Sequence, residues 1–495
     1  MKKTLLTLIT ALSLQPAISQ DITKILPTID SLYQAFATKN NLPGMAYGIV
    51  HNGKLIKTGS MGSINIPKNY PADSSSVFHI ASMTKSFTAM AILQLRDKGK
   101  LRLDDPAYLY IPELKNQKLA SAYAPSITIR NLLTHSAGLP EDNPWGDRQL
   151  AVSDADMIAM IKKGISFSNP PGVDYEYSNL GFAMLGYIIK KVTGQGYVDY
   201  ITQNILLPLG MKNTYFEYDK AAEDKLVHGY RFVNSSWAEQ PMLHNGAYGA
   251  MGGMLTTMED FAKYLSMHMS AWPPAAETTN YVLRKSSLRE MHKPWQLRGL
   301  DTAFRYNRGS ACPLMVGYGY GLRWSKDCEG KTMVGHSGGL PGFGTNWLFM
   351  PEYGIGVICF ANSTYAAVTP LNTFILDTIV KLGHLRARKV SVSQVLEQRK
   401  NELIKLLPNW NNAQSSGIFA INFFDDYFID SLKKDAATVF ASAGKISGVK
   451  PFVAENNLRG YFIMEGQNAN VKVYFTLTPE TPALIQEYRL TSASK

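Results

Sequence analysis

Three short stretches of this 495-residue chain carry residue types that could do chemistry together. The first is Ser82-Met83-Thr84-Lys85. Residues three apart on a helix share a face, so Lys85 falls one turn beyond Ser82. A serine at a helix N-terminus sits among free N–H groups in a positive field, a setting that stabilises an oxyanion. A lysine within reach of that hydroxyl can take its proton once its own pKa is lowered. The second stretch is Tyr177-Ser178-Asn179. A tyrosine in a cationic pocket can shuttle a proton, and an amide can bind a peptide carbonyl and a lysine at once. The third is His336-Ser337-Gly338-Gly339, where glycines on a strand would let a substrate backbone come close. Each stretch taken singly also has a structural reading: an N-cap serine with a surface lysine, a core aromatic with an N-cap asparagine, and a hairpin turn with an incidental histidine.

The elements that must position these residues follow from hydrophobic period and turn chemistry. Residues 44–50 and 54–59 read as strands joined at Asn52-Gly53, a strong hairpin signal. Residues 82–95 read as a helix with Phe87, Met90, Ile92 and Leu93 on its apolar face, ended by Gly99. Residues 180–192 form an apolar helix closed by Gly194, and Thr256 with Glu259 fits a capping box opening another. Residues 333–334, 347–350 and 356–360 read as strands of one sheet. This order predicts an α+β fold: an antiparallel sheet flanked by helices, with a separate helical subdomain. The catalytic domain is expected over residues 20–385. Around Arg386, Arg388 and Lys389 the composition changes, and Pro408 with an Asn-rich run follows a helical stretch. Residues 386–415 therefore read as a linker. Residues 416–495 read as a small α+β domain whose helix-then-strands order resembles NTF2-like or cystatin-like folds.

Composition narrows the function classes. Hydrophobic residues are 45% and charged residues 18%, an ordinary globular balance. Three cysteines exclude a disulfide-built scaffold and any four-cysteine metal site. H-E-x-x-H and C-x-x-C are absent from the sequence, so no metal and no cofactor is expected. The formal charge is +11, but Lys and Arg are scattered, so no nucleic-acid partner is expected. Lys2 and Lys3 precede an apolar run over 5–14, and Ala17 and Ser19 follow at the spacing of a cleavage site. Residues 1–19 thus read as a secretory signal peptide, which places the mature chain in the periplasm or outside the cell. No cysteine suited to a lipid anchor follows the run, and no later stretch is long and apolar enough to span a bilayer, so no stable membrane anchor is expected. Export permits a disulfide. Cys312 and Cys328 could meet if the Gly-rich segment 317–321 between them opens a hairpin, whereas Cys359 reads as a buried thiol.

Taken together, the three stretches, in this order and with gaps of about ninety and about one hundred and sixty residues, resemble the penicillin-recognising serine hydrolases. That superfamily holds class C β-lactamases, DD-carboxypeptidases, D-aminopeptidases and related esterases. The segment Ile127-Thr128-Ile129-Arg130-Asn131-Leu132-Leu133-Thr134-His135-Ser136-Ala137-Gly138-Leu139-Pro140 is similar to the family's own, as are Pro208-Leu209-Gly210-Met211 and Gly252-Gly253-Met254-Leu255-Thr256-Thr257. The resemblance implies that Ser82 is the acylated nucleophile, Lys85 its activating partner and Tyr177 the general base and acid. It implies that Asn179, His336, Ser337 and Gly338 bind substrate, and that the backbone N–H groups of Ser82 and Gly339 form the oxyanion hole. Whether Lys85 or Tyr177 takes the serine proton stays open at this level. His336 stands where β-lactamases typically carry a lysine, and a histidine there is expected to titrate near neutral pH. The variant looks more like DD-carboxypeptidases and D-aminopeptidases. The expected partner is a small peptide, with a β-lactam or ester as alternatives and a penicillin-binding sensor or non-catalytic scaffold as a reading of another class.

Overall fold

The computed structural model describes residues 22–274, 282–307 and 309–494. The expected signal peptide lies outside the described residues. The chain divides into two compact units.

The first unit is built on nine antiparallel strands. They are β1 (Gly44–His51), β2 (Lys54–Asn65), β3 (Tyr70–Pro71), β4 (Gln296–Asp301), β5 (Leu314–Tyr318), β6 (Arg323–Lys326), β7 (Thr332–Leu340), β8 (Phe343–Met350) and β9 (Ile355–Ala361). Their order across the sheet is β3-β2-β1-β9-β8-β7-β6-β5-β4. Asn52 and Gly53 both take positive φ in the β1–β2 turn, as a two-residue hairpin of the primed type demands. The central strands β8 and β9 are buried along their whole length, so both sheet faces are covered. On one face α1 (Leu26–Lys39) and α5 (Val368–Leu382) join a core with Ile29, Tyr33, Leu376 and Ile379. On the other lie α2 (Lys85–Asp97) and α4 (Met258–Met269), whose Phe87, Phe261 and Tyr264 stack around Trp347 of β8. A helical subdomain between β3 and β4 contains α3 (Asn179–Thr193), closed as expected by Gly194 in the left-handed conformation.

One local expectation shifts. The cap of α4 is Thr257, whose hydroxyl accepts from Asp260 N–H, because Thr256 is taken up in a short strand with Leu255. The His336 stretch lies inside β7, on a strand as its chemical reading expects. Cys312 and Cys328 are disulfide-bonded, with Cα atoms 5.1 Å apart across the β5–β6 hairpin, and Cys359 is a buried thiol.

The second unit runs from Ala387 and includes, of the described residues, 271–274. This corrects the linker at 386–415. Helix α6 (Gln394–Leu406) within it buries Leu396 and Leu403 in the second unit's own core, beside Trp410 and Ala413. Arg399 on α6 donates to the Ala483 carbonyl at 2.9 Å. The basic run before this helix and the Pro408 and Asn-rich run after it gave the segment its linker-like composition. Beyond it come α7 (Ile429–Ala443) and a five-stranded antiparallel sheet. Its strands are β10 (Ile446–Val449), β11 (Val453–Asn456), β12 (Arg459–Gly466), β13 (Asn470–Leu477) and β14 (Ile485–Ala493). β10 and β11 share one edge of β12, at opposite ends of it, and β13 and β14 follow on the other. Among the described residues, no helix is long and apolar enough to cross a membrane.

Candidate active site

Ser82 sits in a single 3-10 turn, Ala81–Thr84, that leads directly into α2. Ala81 before it has φ 50°, an unfavourable value for a residue with a Cβ, so the surrounding contacts must hold the turn. Several do. The Thr345 hydroxyl of β8 donates to the Ile80 carbonyl at 2.9 Å, and the Thr84 hydroxyl donates to the Ala81 carbonyl at 2.7 Å. Thr88 on α2 donates to the Ala250 carbonyl at 2.6 Å, tying the helix to the segment that faces Lys85.

Lys85 is fully buried. Its ammonium donates to Ser82 Oγ at 2.9 Å, to Asn179 Oδ1 at 2.7 Å and to the Met251 carbonyl at 2.9 Å. Three donors thus meet three acceptors. Nζ also lies 4.8 Å from the centroid of the Tyr177 ring. Burial lowers the Lys85 pKa to about 7, opposed by the charges of Asp147 and Asp142 and aided by Arg323. The amine can therefore lose its proton near neutral pH and accept one from Ser82. Burial drives the Tyr177 phenol the other way, well above its ordinary value, with Arg323 and the Ser82 hydroxyl opposing. The Tyr177 phenol is thus neutral.

The N-terminus of α3 delivers Asn179. Asp142 accepts from the Asn179 and Leu180 N–H groups at 2.6 and 2.9 Å, and Ser178 Oγ accepts from Gly181 N–H at 3.2 Å. Asn179 is fully buried, and its Nδ2 donates to Asn143 Oδ1 at 3.3 Å. Its amide is spent on holding Lys85 and Asn143, and it is Asn143 that reaches the cavity.

A cavity of about 270 Å³ opens over Ser82, lined by Tyr177, Arg323, Ser337, Gly339, Asp147 and Tyr365 among others. Alternation along β7 explains which of the expected residues line it. Ser337 and Gly339 do, and His336 and Gly338 do not. β6 pairs with β7 only as far as Gly335, so residues 336–340 leave that edge of β7 open for an extended substrate. Gly338 instead admits β7 against the turn that carries Ser82: a Cβ there would collide with the Ile80 carbonyl and the Thr345 hydroxyl.

His336 departs from the expectation. It is fully buried, its Nδ1 lies 2.6 Å from the Ser337 carbonyl and its Nε2 lies 2.8 Å from the Tyr318 hydroxyl. Nδ1–H therefore donates to the carbonyl, and Nε2 accepts from Tyr318. Burial, with Arg323 and Lys85 nearby, holds its pKa well below the usual histidine value. His336 is a neutral brace for β7, and neither a substrate ligand nor a group that titrates near neutrality. His135, with φ 56°, is likewise buried and neutral; its Nδ1 accepts from Ser178 N–H at 3.1 Å and its ring packs 4.2 Å from that of Tyr177.

Two charged residues at the cavity escaped sequence reasoning. Arg323 lies 5.8 Å from the Tyr177 ring centroid, with Nε unpartnered and no carboxylate partner among the described residues. Asp147, 3% exposed, accepts from the Tyr365 hydroxyl at 3.0 Å. Neither belongs to a local motif; only the alternation of a polar residue into a short strand hints at Arg323.

An antiparallel sheet flanked by helices, with a serine–lysine turn set against an open strand edge, defines the class of β-lactamase-fold proteins. Residues 29–379 match the Beta-lactamase family, and the chain belongs to it. Protein flp of Staphylococcus aureus (strain MW2) is 29% identical over 382 residues, covering 76% of this chain and 70% of that protein. Beta-lactamase-like protein 2 of Dictyostelium discoideum is 30% identical over 258 residues, covering 51% of this chain and 47% of its own. The octameric penicillin-binding protein homologue from Pyrococcus abyssi superposes with a TM-score of 0.59 at 22% identity, over 94% of this chain and 99% of that one. A D-stereospecific amidohydrolase from Streptomyces sp. superposes with a TM-score of 0.54 at 22% identity, over 68% and 94%. At that identity the two structures speak to the fold alone.

Proposed function

We propose that this protein is an exported serine hydrolase that forms an acyl-enzyme on Ser82 and acts on D-amino-acid peptides of the peptidoglycan type. The observation that carries the reading is the buried Lys85 amine, held 2.9 Å from Ser82 Oγ at the floor of an open cavity. Ser82 Oγ attacks the substrate carbonyl as its proton passes to neutral Lys85, and the oxyanion forms at the N–H groups of Ser82 and Gly339. Tyr177 then gives its phenolic proton to the leaving amine and is reprotonated from Lys85. A water attacks the acyl-enzyme by the reverse path. Export fits the Cys312–Cys328 disulfide and the leader layout; N-terminal sequencing reads whether the mature chain begins at Gln20.

Because the step needs neutral Lys85, kcat/KM should rise with pH through about 7 and then level. A stopped assay over pH 5.5–9 checks this; a flat profile would remove Lys85 as the base.

Arg323 supports a leaving group that bears a carboxylate. Its Arg323→Ala variant should raise KM for D-alanyl-D-alanine peptides about 10–100-fold, the worth of a charge-assisted pair. Short-chain p-nitrophenyl esters, which lack the carboxylate, should be affected less than about threefold. Equal losses on both would favour the esterase reading. Turnover of a penicillin in the same assay separates the β-lactamase reading.

A further inference from the structure

Asp147 stands between two cavities. It lines the one over Ser82 and also an adjoining one of about 170 Å³ with Leu150, Met242, Leu243, Leu340 and Phe343. We propose that this second cavity is the subsite for the residue that donates the acyl group, and that Asp147 binds its free α-ammonium, so that the enzyme prefers peptides with an unblocked N-terminal residue carrying an apolar side chain. The inference rests on the reading that Ser82 is the acylated residue and takes the D-aminopeptidase side of it, since a stem peptide whose acyl-donating residue is blocked at nitrogen would bind poorly.

Direction along β7 supports it. Arg323 pairs with Gly335 at the near end of the open edge, whereas Leu340 and Phe343 lie past Gly339 at the far end. A substrate laid along 336–340 with its carbonyl at Ser82 would place its carboxylate at Arg323 and its other end at Asp147. The Asp147 carboxylate is 3% exposed, and its one hydrogen bond to a described residue comes from the neutral Tyr365 hydroxyl, which reaches Oδ2. Oδ1 has no donor among the described residues. His79, which lines the same cavity, is buried with Nδ1 unpartnered. A substrate ammonium supplies a donor for Asp147 Oδ1, and a neutral His79 with its proton on Nε2 can accept one at Nδ1.

The charges that act on Asp147 do not replace such a ligand. Lys85 is spent on its three acceptors, Arg148 is exposed at the rim, and Asp142 is committed to the N-terminus of α3. Burial raises the Asp147 pKa to about 6, so it is mostly ionised at neutral pH and more so once paired. The apolar wall takes the side chain next to the ammonium.

The test uses the full chain with Ser82→Ala, so that binding is read without turnover. D-leucyl-D-alanine and N-acetyl-D-leucyl-D-alanine are titrated by calorimetry at pH 7.5. The free dipeptide should bind at least about tenfold more tightly than the acetylated one. Adding Asp147→Asn, which keeps an acceptor for Tyr365, should shrink that ratio to within about threefold. Equal affinities in the Ser82→Ala protein, tighter binding of the acetylated peptide, a ratio unchanged by Asp147→Asn, or no binding of either would overturn the proposal. A purely structural Asp147 would weaken both ligands alike and leave the ratio where it was. The two readings fail separately: loss of the ratio leaves Ser82 acylation untouched, and absence of acylation in the wild type leaves the ratio readable.

Discussion

Ser82→Ala is expected to abolish labelling by a fluorescent penicillin and to lower turnover of any substrate by about 10⁴-fold or more, the scale on which loss of a nucleophile acts. Ser82 Oγ accepts from Lys85 Nζ at 2.9 Å and borders the cavity. The rival hydroxyl is Ser337, which lines the same cavity on β7. Lys85 keeps Asn179 Oδ1 and the Met251 carbonyl in the variant, so stability should change by no more than about 1 kcal/mol. The measurement is gel fluorescence with thermal melting beside it. Equal labelling of wild type and variant would move the nucleophile elsewhere, with Ser337→Ala as the next variant. Wild-type labelling without turnover of peptide, ester or β-lactam would instead favour a penicillin-binding sensor.

Gly338→Ala is expected to damage the same chemistry from behind. A methyl group at Gly338 meets the Ile80 carbonyl, the Thr345 hydroxyl and Ala81 Cβ. Ala81 belongs to the turn that carries Ser82, Ile80 is the residue that leads into it, and Thr345 is its hydrogen-bonded clamp. Neither β7 nor the turn can yield cheaply, since β7 is paired to β8 through this stretch. Overpacking of this kind costs about 1–3 kcal/mol. A shift of the turn by about 1 Å would cost on the order of 100-fold in kcat. Circular dichroism melting and acylation rates read the two effects. A variant with wild-type acylation would show that β7 does not set the position of Ser82. Gly339→Ala is a useful companion, because its Cβ would meet the Tyr365 ring, at 2.8 Å, in the cavity itself.

Much of the fold was legible because it rests on local chemistry. The Asn52-Gly53 turn, the Gly194 stop and the apolar face of α2 are written in adjacent residues. The linker at 386–415 was misread for the same reason: composition is local, whereas the burial of Leu396 and Leu403 depends on strands some sixty residues away or more, such as Phe462 and Val473. His336 was misread because a histidine's protonation depends on its surroundings. The Tyr318 hydroxyl and the Ser337 carbonyl take both ring nitrogens, and burial does the rest.

The sequence by itself determined the residue types and their spacing: Ser82 and Lys85 one turn apart, Tyr177 and Asn179 at a helix start, and glycines at 338 and 339. It thereby determined the family. Tertiary structure alone decided which groups face the cavity and which way burial moves their pKa values. It brought Arg323 and Asp147 to the two ends of an open strand edge, turned His336 inward, and lowered Lys85 by burial. The physical reason is that reactivity follows from desolvation and from charges close in space, and neither is a property of neighbours in sequence.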